Sequence, residues 1–263
     1  MGIVEKRRVF QELHQSGCFV LPNPWDIGTA RYLQHAGFKA LATTSAGYAF
    51  SRGKLDGKIS LEETLAHVAE LVEATDLPVN VDFEAGFSAD SAGVAVNVRR
   101  CADSGAAGIS VEDNAGGELY PLEEAVARVV AARQALDGTG VMLVARSEGL
   151  LIGKADLAET LVRLRAYAEA GADCLYAPDL TSVEQVRAVV EACAPKPVNV
   201  LVYEPGFTVS QLAQLGVRRV SVGGALARAA WGAVMRAARE MLEKGTFEEF
   251  GVAAKHKDFP AFL

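Results

Sequence analysis

Short apolar stretches with strand character alternate along the chain with amphipathic stretches of helical length, and the alternation repeats eight times from Cys18 onward. Such an alternation, uninterrupted by low-complexity linkers, is typical of parallel βαβ units. The predicted strands cover residues 18–21, 39–43, 79–83, 108–112, 141–146, 174–176, 198–202 and 219–222. Eight strand and helix units in 263 residues predict an α/β protein, a (β/α)8 TIM-type barrel.

The predicted helix boundaries carry residues with capping chemistry. Asp26 precedes one helical stretch, and Ser60 and Ser182 begin capping-box sequences with Glu63 and Gln185 three residues later. Several helical stretches end at a glycine shortly before the next strand, as left-handed C-caps require. This order fixes the chain direction, so the loops that follow the strands form the functional rim of the barrel.

Two segments lie outside the repeat. Residues 3–15 predict a helix that covers the bottom of the barrel, and residues 225–244, followed by 247–255, form a longer amphipathic arm than one barrel helix needs. We interpret residues 1–263 as a single barrel domain in which 225–263 pack on a neighbouring subunit. The alternative is that the arm folds back on its own barrel.

Composition excludes several classes of partner. The net charge is −7 and the pI is near 5.2, so neither nucleic acid nor an anionic membrane is expected to bind. No apolar run approaches the length of a membrane span, and the amino-terminal residues lack the apolar core of a signal peptide. The four cysteines, Cys18, Cys101, Cys174 and Cys193, are scattered and predict buried thiols in a reducing, cytoplasmic compartment.

The third predicted strand carries polar residues at every second position. Strand alternation places Asn80, Asp82 and Glu84 on one face, while Val79 and its alternate neighbours face the other way. Two adjacent carboxylates in a mostly buried strand repel each other unless one is protonated or a cation lies between them. The pattern therefore indicates a hard divalent metal ion.

Other predicted strands end in matching chemistry. Alternation turns Glu112 and Arg146 toward the same barrel mouth as Asp82 and Glu84. Three carboxylates, one arginine and an oxygen-only ligand set favour Mg²⁺, with Mn²⁺ also suitable. The alternative is a set of structural salt bridges, with Arg146 paired to Glu112. The histidines are expected to be ordinary exposed residues outside this site: His14, His35, His67 and His256.

Four motifs together resemble the isocitrate lyase and phosphoenolpyruvate mutase superfamily across nearly the whole chain. They are Thr44-Ser45-Ala46-Gly47-Tyr48, Asp82-Phe83-Glu84-Ala85-Gly86-Phe87, Val111-Glu112-Asp113-Asn114 and Ala145-Arg146-Ser147-Glu148. The resemblance implies a small 2-oxo acid or carboxylate substrate and a homotetramer built by swapping a C-terminal helix between neighbours.

The resemblance also implies roles for individual residues. Asp82 would be the direct or nearest metal ligand, with Glu84, Glu112 and Asp56 completing the shell through water. The substrate would be bound by the backbone amides of Ser45, Ala46 and Gly47 together with Arg146. Asn199, a polar residue of the seventh predicted strand, is a further candidate for substrate binding. Arg146, Asp56 and Glu112 form the expected catalytic set, in which Asp56 acts either as a base or as an outer carboxylate.

The loop after the fourth strand departs from the family pattern. Residues 114–121 contain no cysteine, histidine or lysine, whereas the lyases carry an acid/base cysteine there and the mutases carry a lysine. A short, glycine-rich loop predicts a more open site. Tyr120 could supply a hydroxyl group as an acid, or it could be a packed aromatic residue at a helix start.

Three functions remain compatible with the sequence. The first is a Mg²⁺-dependent lyase that cleaves a C–C bond of a 2-oxo or 2-hydroxy acid through a metal-bound enolate, by decarboxylation or retro-aldol cleavage. The second is an enzyme that forms or cleaves a P–C bond of a phosphonate. The third is a 2-oxo acid binding protein with little catalysis.

Overall fold

Eight parallel strands form a nearly closed barrel in the computed structural model, which describes residues 1–263. The barrel strands are β1 (Phe19–Leu21), β2 (Leu41–Ala42), β3 (Val79–Asp82), β4 (Gly108–Glu112), β7 (Met142–Arg146), β8 (Cys174–Tyr176), β9 (Val198–Leu201) and β10 (Arg219–Ser221). Two short strands, β5 (Asn114–Ala115) and β6 (Glu118–Leu119), form a separate hairpin. Each barrel strand falls within a predicted one, so the (β/α)8 prediction is confirmed.

The barrel has a seam between its first two strands. The sheet order runs β1, β10, β9, β8, β7, β4, β3, β2, which leaves β1 and β2 at its two ends. Across the seam the Ala42 amide donates to the Pro22 carbonyl at 3.0 Å. Pro22 and Pro24 carry no N–H, so this side of the seam has few donors to close it further.

Helices follow the strands, and three of them begin at the predicted caps. Their bounds are α1 (Ile3–Leu13), α2 (Ile27–His35), α3 (Ser45–Ser51), α4 (Leu61–Ala74), α5 (Ser91–Asp103), α6 (Leu122–Ala135), α7 (Leu157–Glu169), α8 (Val183–Cys193), α9 (Val209–Gln214) and α10 (Ala225–Glu243). Asp26, Ser60 and Ser182 cap α2, α4 and α8, each in a reciprocal capping box. The short helix α3 was not predicted.

The strands separate an outer apolar layer from an interior that contains both apolar and polar side chains. Val79, Val81 and Phe83 belong to the main core, with side chains from the surrounding helices. Asn80 faces the interior, where its Nδ2 donates to Ser110 Oγ at 2.9 Å. Fully buried Arg219 donates to Asn199 Oδ1 at 2.9 Å and to Asn80 Oδ1 at 3.3 Å, so one part of the barrel interior is a bonded polar network.

The amino-terminal helix covers the strand starts, as the sequence predicts. Phe10 of α1 packs in a small core cluster with Leu21, Ala40 and Met142.

Two of the histidines that were expected to be exposed are buried: His14 is 7% and His67 is 4% exposed. His14 packs between the rings of Phe10 and Phe19, and His67 stacks on Tyr48 with the ring centroids 3.8 Å apart. These two predictions were therefore wrong.

The C-terminal arm continues past α10 through two 3-10 helices, Glu248–Val252 and His256–Ala261. Its end reaches α2 of the same chain, where the rings of Phe262 and Tyr32 lie 5.2 Å apart. Large apolar side chains of the arm still face solvent, Leu242 and Val252 being 87% and 85% exposed. None of the helices has the length and apolar character needed to cross a bilayer.

Candidate active site

A cavity of about 650 Å³ opens where the strands β3, β4 and β7 end. Its charged lining comes from the residues that follow or complete these strands and from the loop before α4. The acidic members are Asp56, Glu84, Glu112 and Glu148, and the basic members are Lys58 and Arg146. The cavity therefore lies at the rim where TIM barrels bind their substrates.

Asp82 is held at the edge of this cavity by groups from β2 and α3. The Thr43 hydroxyl accepts from the Asp82 amide at 2.8 Å, which fixes the end of β3. The Ser45 amide donates to Asp82 Oδ2 at 3.1 Å, and Arg146 Nη1 donates to Oδ1 at 3.2 Å. Each oxygen of the carboxylate thus has an identified donor.

Glu84 reaches the cavity by a route that strand alternation does not describe. Strand β3 ends at Asp82, and Glu84 adopts a left-handed backbone with φ of 45°. The Glu84 carbonyl accepts from the Glu112 amide at 2.9 Å, which ties this turn to β4. The predicted proximity to Asp82 is therefore present, but a turn rather than the pleat creates it.

Arg146 is the centre of the acidic cluster. Its Nη1 lies 3.5 Å from Glu112 Oε2, and its Nε donates to Glu148 Oε1. The guanidinium carbon lies 5.0 Å from the ring centroid of Tyr176. Asn114 Nδ2 donates to the other Glu112 oxygen at 3.0 Å. Arg146 is consequently shared among several acids rather than paired with Glu112 alone.

Sequence reasoning missed two acidic residues with clear roles here. Glu148 lines the cavity at 3% exposure, and its amide donates to Asp113 Oδ1 at 2.8 Å. Buried Asp113 also accepts from Tyr167 at 2.6 Å and Arg163 at 3.3 Å, so it joins β4, the loop after β7 and α7. Both acids belong to the sequence motifs named above. The sequence does not show, however, that the two segments are bonded to each other across neighbouring strands.

Burial and mutual repulsion raise the pKa values of the clustered acids. Burial, with repulsion from Asp82 and Asp56, raises the pKa of Glu84 to about 7. Burial raises the pKa of Glu112 well above its ordinary value, against the opposing effect of Arg146. Partial desolvation and repulsion from Asp82 also raise the pKa of Asp56. Negative charge is in excess in this cavity.

The cluster fits a divalent metal ion in its donor chemistry. The candidate ligands offer only carboxylate oxygens, which suit Mg²⁺ or Mn²⁺, and a cation would relieve the repulsion that raises the pKa of Glu84. The structure does not arrange three or more Asp, Glu, His or Cys side chains at metal-binding spacing. Asp82 instead faces Arg146 and the Ser45 amide.

The expected substrate-binding residues are placed unevenly. Ser45 lines the cavity, whereas the Gly47 amide donates to the Thr44 hydroxyl at 3.2 Å as part of the α3 cap. Ala46 is not in the cavity lining. Asn199 is fully buried, donates to Ser221 at 2.9 Å and accepts from Arg219, so the structure does not bring it to the cavity.

The loop after β4 is a hairpin rather than an open segment. Gly116 and Gly117, with φ of 63° and 84°, form its turn between β5 and β6. Glu118 Oε1 accepts from Lys154 at 2.7 Å, which links the hairpin to the loop after β7. The short, glycine-rich loop is therefore an ordered hairpin that lines one side of the cavity.

Known proteins are similar to the chain over most of its length. The sequence profile described as phosphoenolpyruvate phosphomutase matches residues 10–242. An uncharacterised Mycobacterium tuberculosis H37Rv protein is 34% identical over 232 residues, which are 88% of this chain and 87% of that protein. The 2-methylisocitrate lyase of Escherichia coli K12 is 30% identical over 193 residues, which are 68% of this chain and 64% of that enzyme.

Solved structures share the fold. A Burkholderia cenocepacia J2315 protein, described provisionally as a lyase/mutase, has a TM-score of 0.95 and 46% identity, covering 98% of this chain and 96% of that one. Oxaloacetate acetylhydrolase in complex with oxalate has a TM-score of 0.83 and 25% identity, covering 92% and 88%. The chain therefore belongs to the isocitrate lyase/phosphoenolpyruvate mutase superfamily, a family of lyases and mutases.

Proposed function

We propose that the chain is a lyase that cleaves a C–C bond of a small 2-oxo or 2-hydroxy carboxylic acid, with Mg²⁺ or Mn²⁺ as its cofactor. The observation that carries the proposal is the convergence of Glu84, Glu112 and Arg146 on one cavity beside Asp82. The similarity to 2-methylisocitrate lyase supports C–C cleavage.

In this proposal Asp82, Glu84, Glu112 and Asp56 hold the cation. When bound, the cation supplies a Lewis acid that polarises the substrate's oxo group. Arg146 adds fixed positive charge beside the oxygen on which negative charge develops as the C–C bond breaks.

The remaining roles follow from the position of each group. Ser45, the member of its turn that lines the cavity, binds the substrate carboxylate, while Ala46 and Gly47 shape that turn. Glu112 holds Arg146 in place at 3.5 Å. Asp56 lines the rim, where its carboxylate can accept a proton from a 2-hydroxy group.

A screen of 2-oxo and 2-hydroxy di- and tricarboxylates with Mg²⁺ tests the proposal, read by release of pyruvate, glyoxylate, CO2 and phosphate. We expect turnover of at least one acid, and loss by roughly 10²-fold or more in Asp82→Ala. Calorimetry should show that Asp82→Ala no longer binds Mn²⁺, whereas Asp103→Ala, at an exposed position of α5, binds as wild type. Unchanged Mn²⁺ affinity in Asp82→Ala would refute the site assignment.

The same screen includes phosphonopyruvate, because the matching family profile is described as a phosphomutase. Phosphate release or rearrangement of that compound, without turnover of the other acids, would indicate P–C chemistry instead. Tight binding of a 2-oxo acid with no turnover of any compound would indicate a binding protein.

A further inference from the structure

The cavity lining also contains an apolar region that the proposed chemistry does not use. Leu151 and Ile152 come from the loop after β7, and Phe87 and Tyr120 come from the loops after β3 and β6. Leu151 is 40% exposed and Ile152 is half-buried, so neither belongs to the protein core. Apolar side chains exposed inside a cavity are available to contact a ligand.

This apolar region is fixed in place by the surrounding backbone. The Ile152 amide donates to the Glu148 carbonyl at 3.1 Å, and the Lys154 amide donates to the Gly149 carbonyl at 2.9 Å. The Tyr120 ring lies 3.8 Å from the guanidinium carbon of Arg128. A ligand would therefore meet a preformed surface, which reduces the entropy lost on binding.

The charges of the cavity limit how many carboxylates a ligand can bring. Arg146 is already shared by Asp82, Glu112 and Glu148. Lys58, the other basic residue of the lining, takes part in no ion pair, unlike Lys54 and Lys154. The lining has four acids and only these two bases, and a divalent cation would be held by the acids. Lys58 is therefore the one positively charged group of the lining that has no acidic partner.

Resting on the proposed function, we infer that the substrate is a dicarboxylic 2-oxo or 2-hydroxy acid with a short alkyl group at C3. The 2-oxo or 2-hydroxy carboxylate end of the substrate lies at the acidic cluster with the cation. The second carboxylate pairs with Lys58, and the alkyl group packs against Leu151 and Ile152. A tricarboxylate is disfavoured, because its third carboxylate would lie beside apolar or acidic groups without a counterion.

The test compares C4 dicarboxylates that are unsubstituted, 3-methylated or 3,3-dimethylated with the tricarboxylate isocitrate. Turnover is compared by kcat/KM, and binding is measured by calorimetry in competition with oxalate. For wild type with Mg²⁺ we expect roughly fourfold tighter binding per buried methyl group, from ~0.8 kcal/mol per CH2. We expect isocitrate to bind at least tenfold more weakly than the methylated acids, a difference of about 1.4 kcal/mol.

Two variants assign the effect to the named residues. Leu151→Lys adds a second uncommitted cation at an exposed position, so it should abolish the gain from methyl groups and strengthen isocitrate binding about tenfold, or ~1.4 kcal/mol. Lys58→Gln should weaken the binding of the C4 dicarboxylates about tenfold, while the binding of oxalate, which is too short to reach from the acidic cluster to Lys58, stays unchanged. Val162→Lys, 50% exposed on α7 and outside the cavity, is the matched control and should change neither ratio.

The outcomes separate this inference from the proposed function. If oxalate binds and an acid is turned over, but isocitrate is preferred or Leu151→Lys leaves the ratios unchanged, the inference is overturned and the proposed function stands. If neither oxalate binding nor turnover is detected in wild type, the proposed function itself fails.

Discussion

At the scale of single residues, buried arginines connect the walls of the cavity. Arg128 of α6 is 1% exposed and donates to the carbonyls of Ala85, Ser88 and Ala89 at 3.2, 3.1 and 2.7 Å. The same guanidinium covers the Tyr120 ring. One side chain therefore holds the loop after β3 against the residue that follows the β5–β6 hairpin.

We expect Arg128→Met to destabilise the fold by about 3 kcal/mol, because it leaves several carbonyls of the loop after β3 without donors. Urea unfolding measures the change in the free energy of unfolding. Arg99→Met is the control, since Arg99 is 56% exposed with a single acidic partner, and it should change stability by less than ~0.5 kcal/mol. Equal effects of the two substitutions would contradict this role of Arg128.

Protonation of the buried His67 side chain should destabilise the fold in acid. Burial lowers its pKa in the folded state from 6.5 to about 4, so the folded state favours the neutral ring. Its contribution is complete above pH 6.5 and is lost as the pH falls toward 4, at about 1.4 kcal/mol per pH unit.

His67→Phe should remove this component, because the phenyl ring keeps the stacking on Tyr48 and replaces an Nε2 that has no hydrogen-bond partner. The measurement is the difference in unfolding free energy between wild type and variant at several pH values from 7.5 to 4.5. Exposed His256→Phe should leave the pH dependence as in wild type. Parallel curves for wild type and His67→Phe would contradict the prediction.

At the scale of elements, the β5–β6 hairpin shows how a loop without cysteine, histidine or lysine keeps a defined shape. Its two-residue turn requires positive φ at both Gly116 and Gly117. The Tyr120 amide donates to the Asp113 carbonyl at 2.9 Å, and Lys154 binds Glu118 from the neighbouring loop. The hairpin thus positions Tyr120 beside the cavity.

Replacing both turn glycines with alanine should weaken the hairpin by roughly 2 kcal/mol, since each alanine is strained in the left-handed region. We expect the Tyr120 amide to exchange with solvent deuterium about 30-fold faster, while the global unfolding free energy stays nearly unchanged. Gly206→Ala is the control, because a methyl group there meets no atom within 4 Å. Unaltered exchange at Tyr120 would show that the turn does not depend on these glycines.

At the scale of the whole molecule, hydrophobic alternation and helix caps were sufficient to predict the barrel. Each strand packs against the helices on its outer face and against the barrel interior on its inner face, so the same pattern recurs in every unit. Proximity of Asp82, Glu112 and Arg146 followed from strand direction together with side-chain alternation. The Glu84 turn, the hairpin and the burial of His14 depend on contacts between distant segments, which periodicity does not contain. Asn199 was misplaced in depth, since alternation gives the face of a residue and not its height along the barrel.

The exposed apolar residues of the C-terminal arm allow a prediction about how subunits assemble. We expect a homo-oligomer, because Leu242 and Val252 are 87% and 85% exposed and would be buried by a partner surface. Sedimentation velocity should show a smaller species for the double variant Leu242→Glu with Val252→Glu. Val4→Glu, at a site 81% exposed on α1, should not change assembly. A monomeric wild type would contradict the expectation.

The barrel seam has a consequence for synthesis on the ribosome. Strand β1 pairs with β10, whose residues follow 200 positions later, at the register of Phe19 with Arg219. Its other neighbour, β2, offers the bond between Ala42 and Pro22. The first strand to leave the exit tunnel therefore remains without its main partner until the chain is almost complete. Nascent chains that stop before Arg219 should be captured by chaperones, whereas release of the full chain completes the barrel.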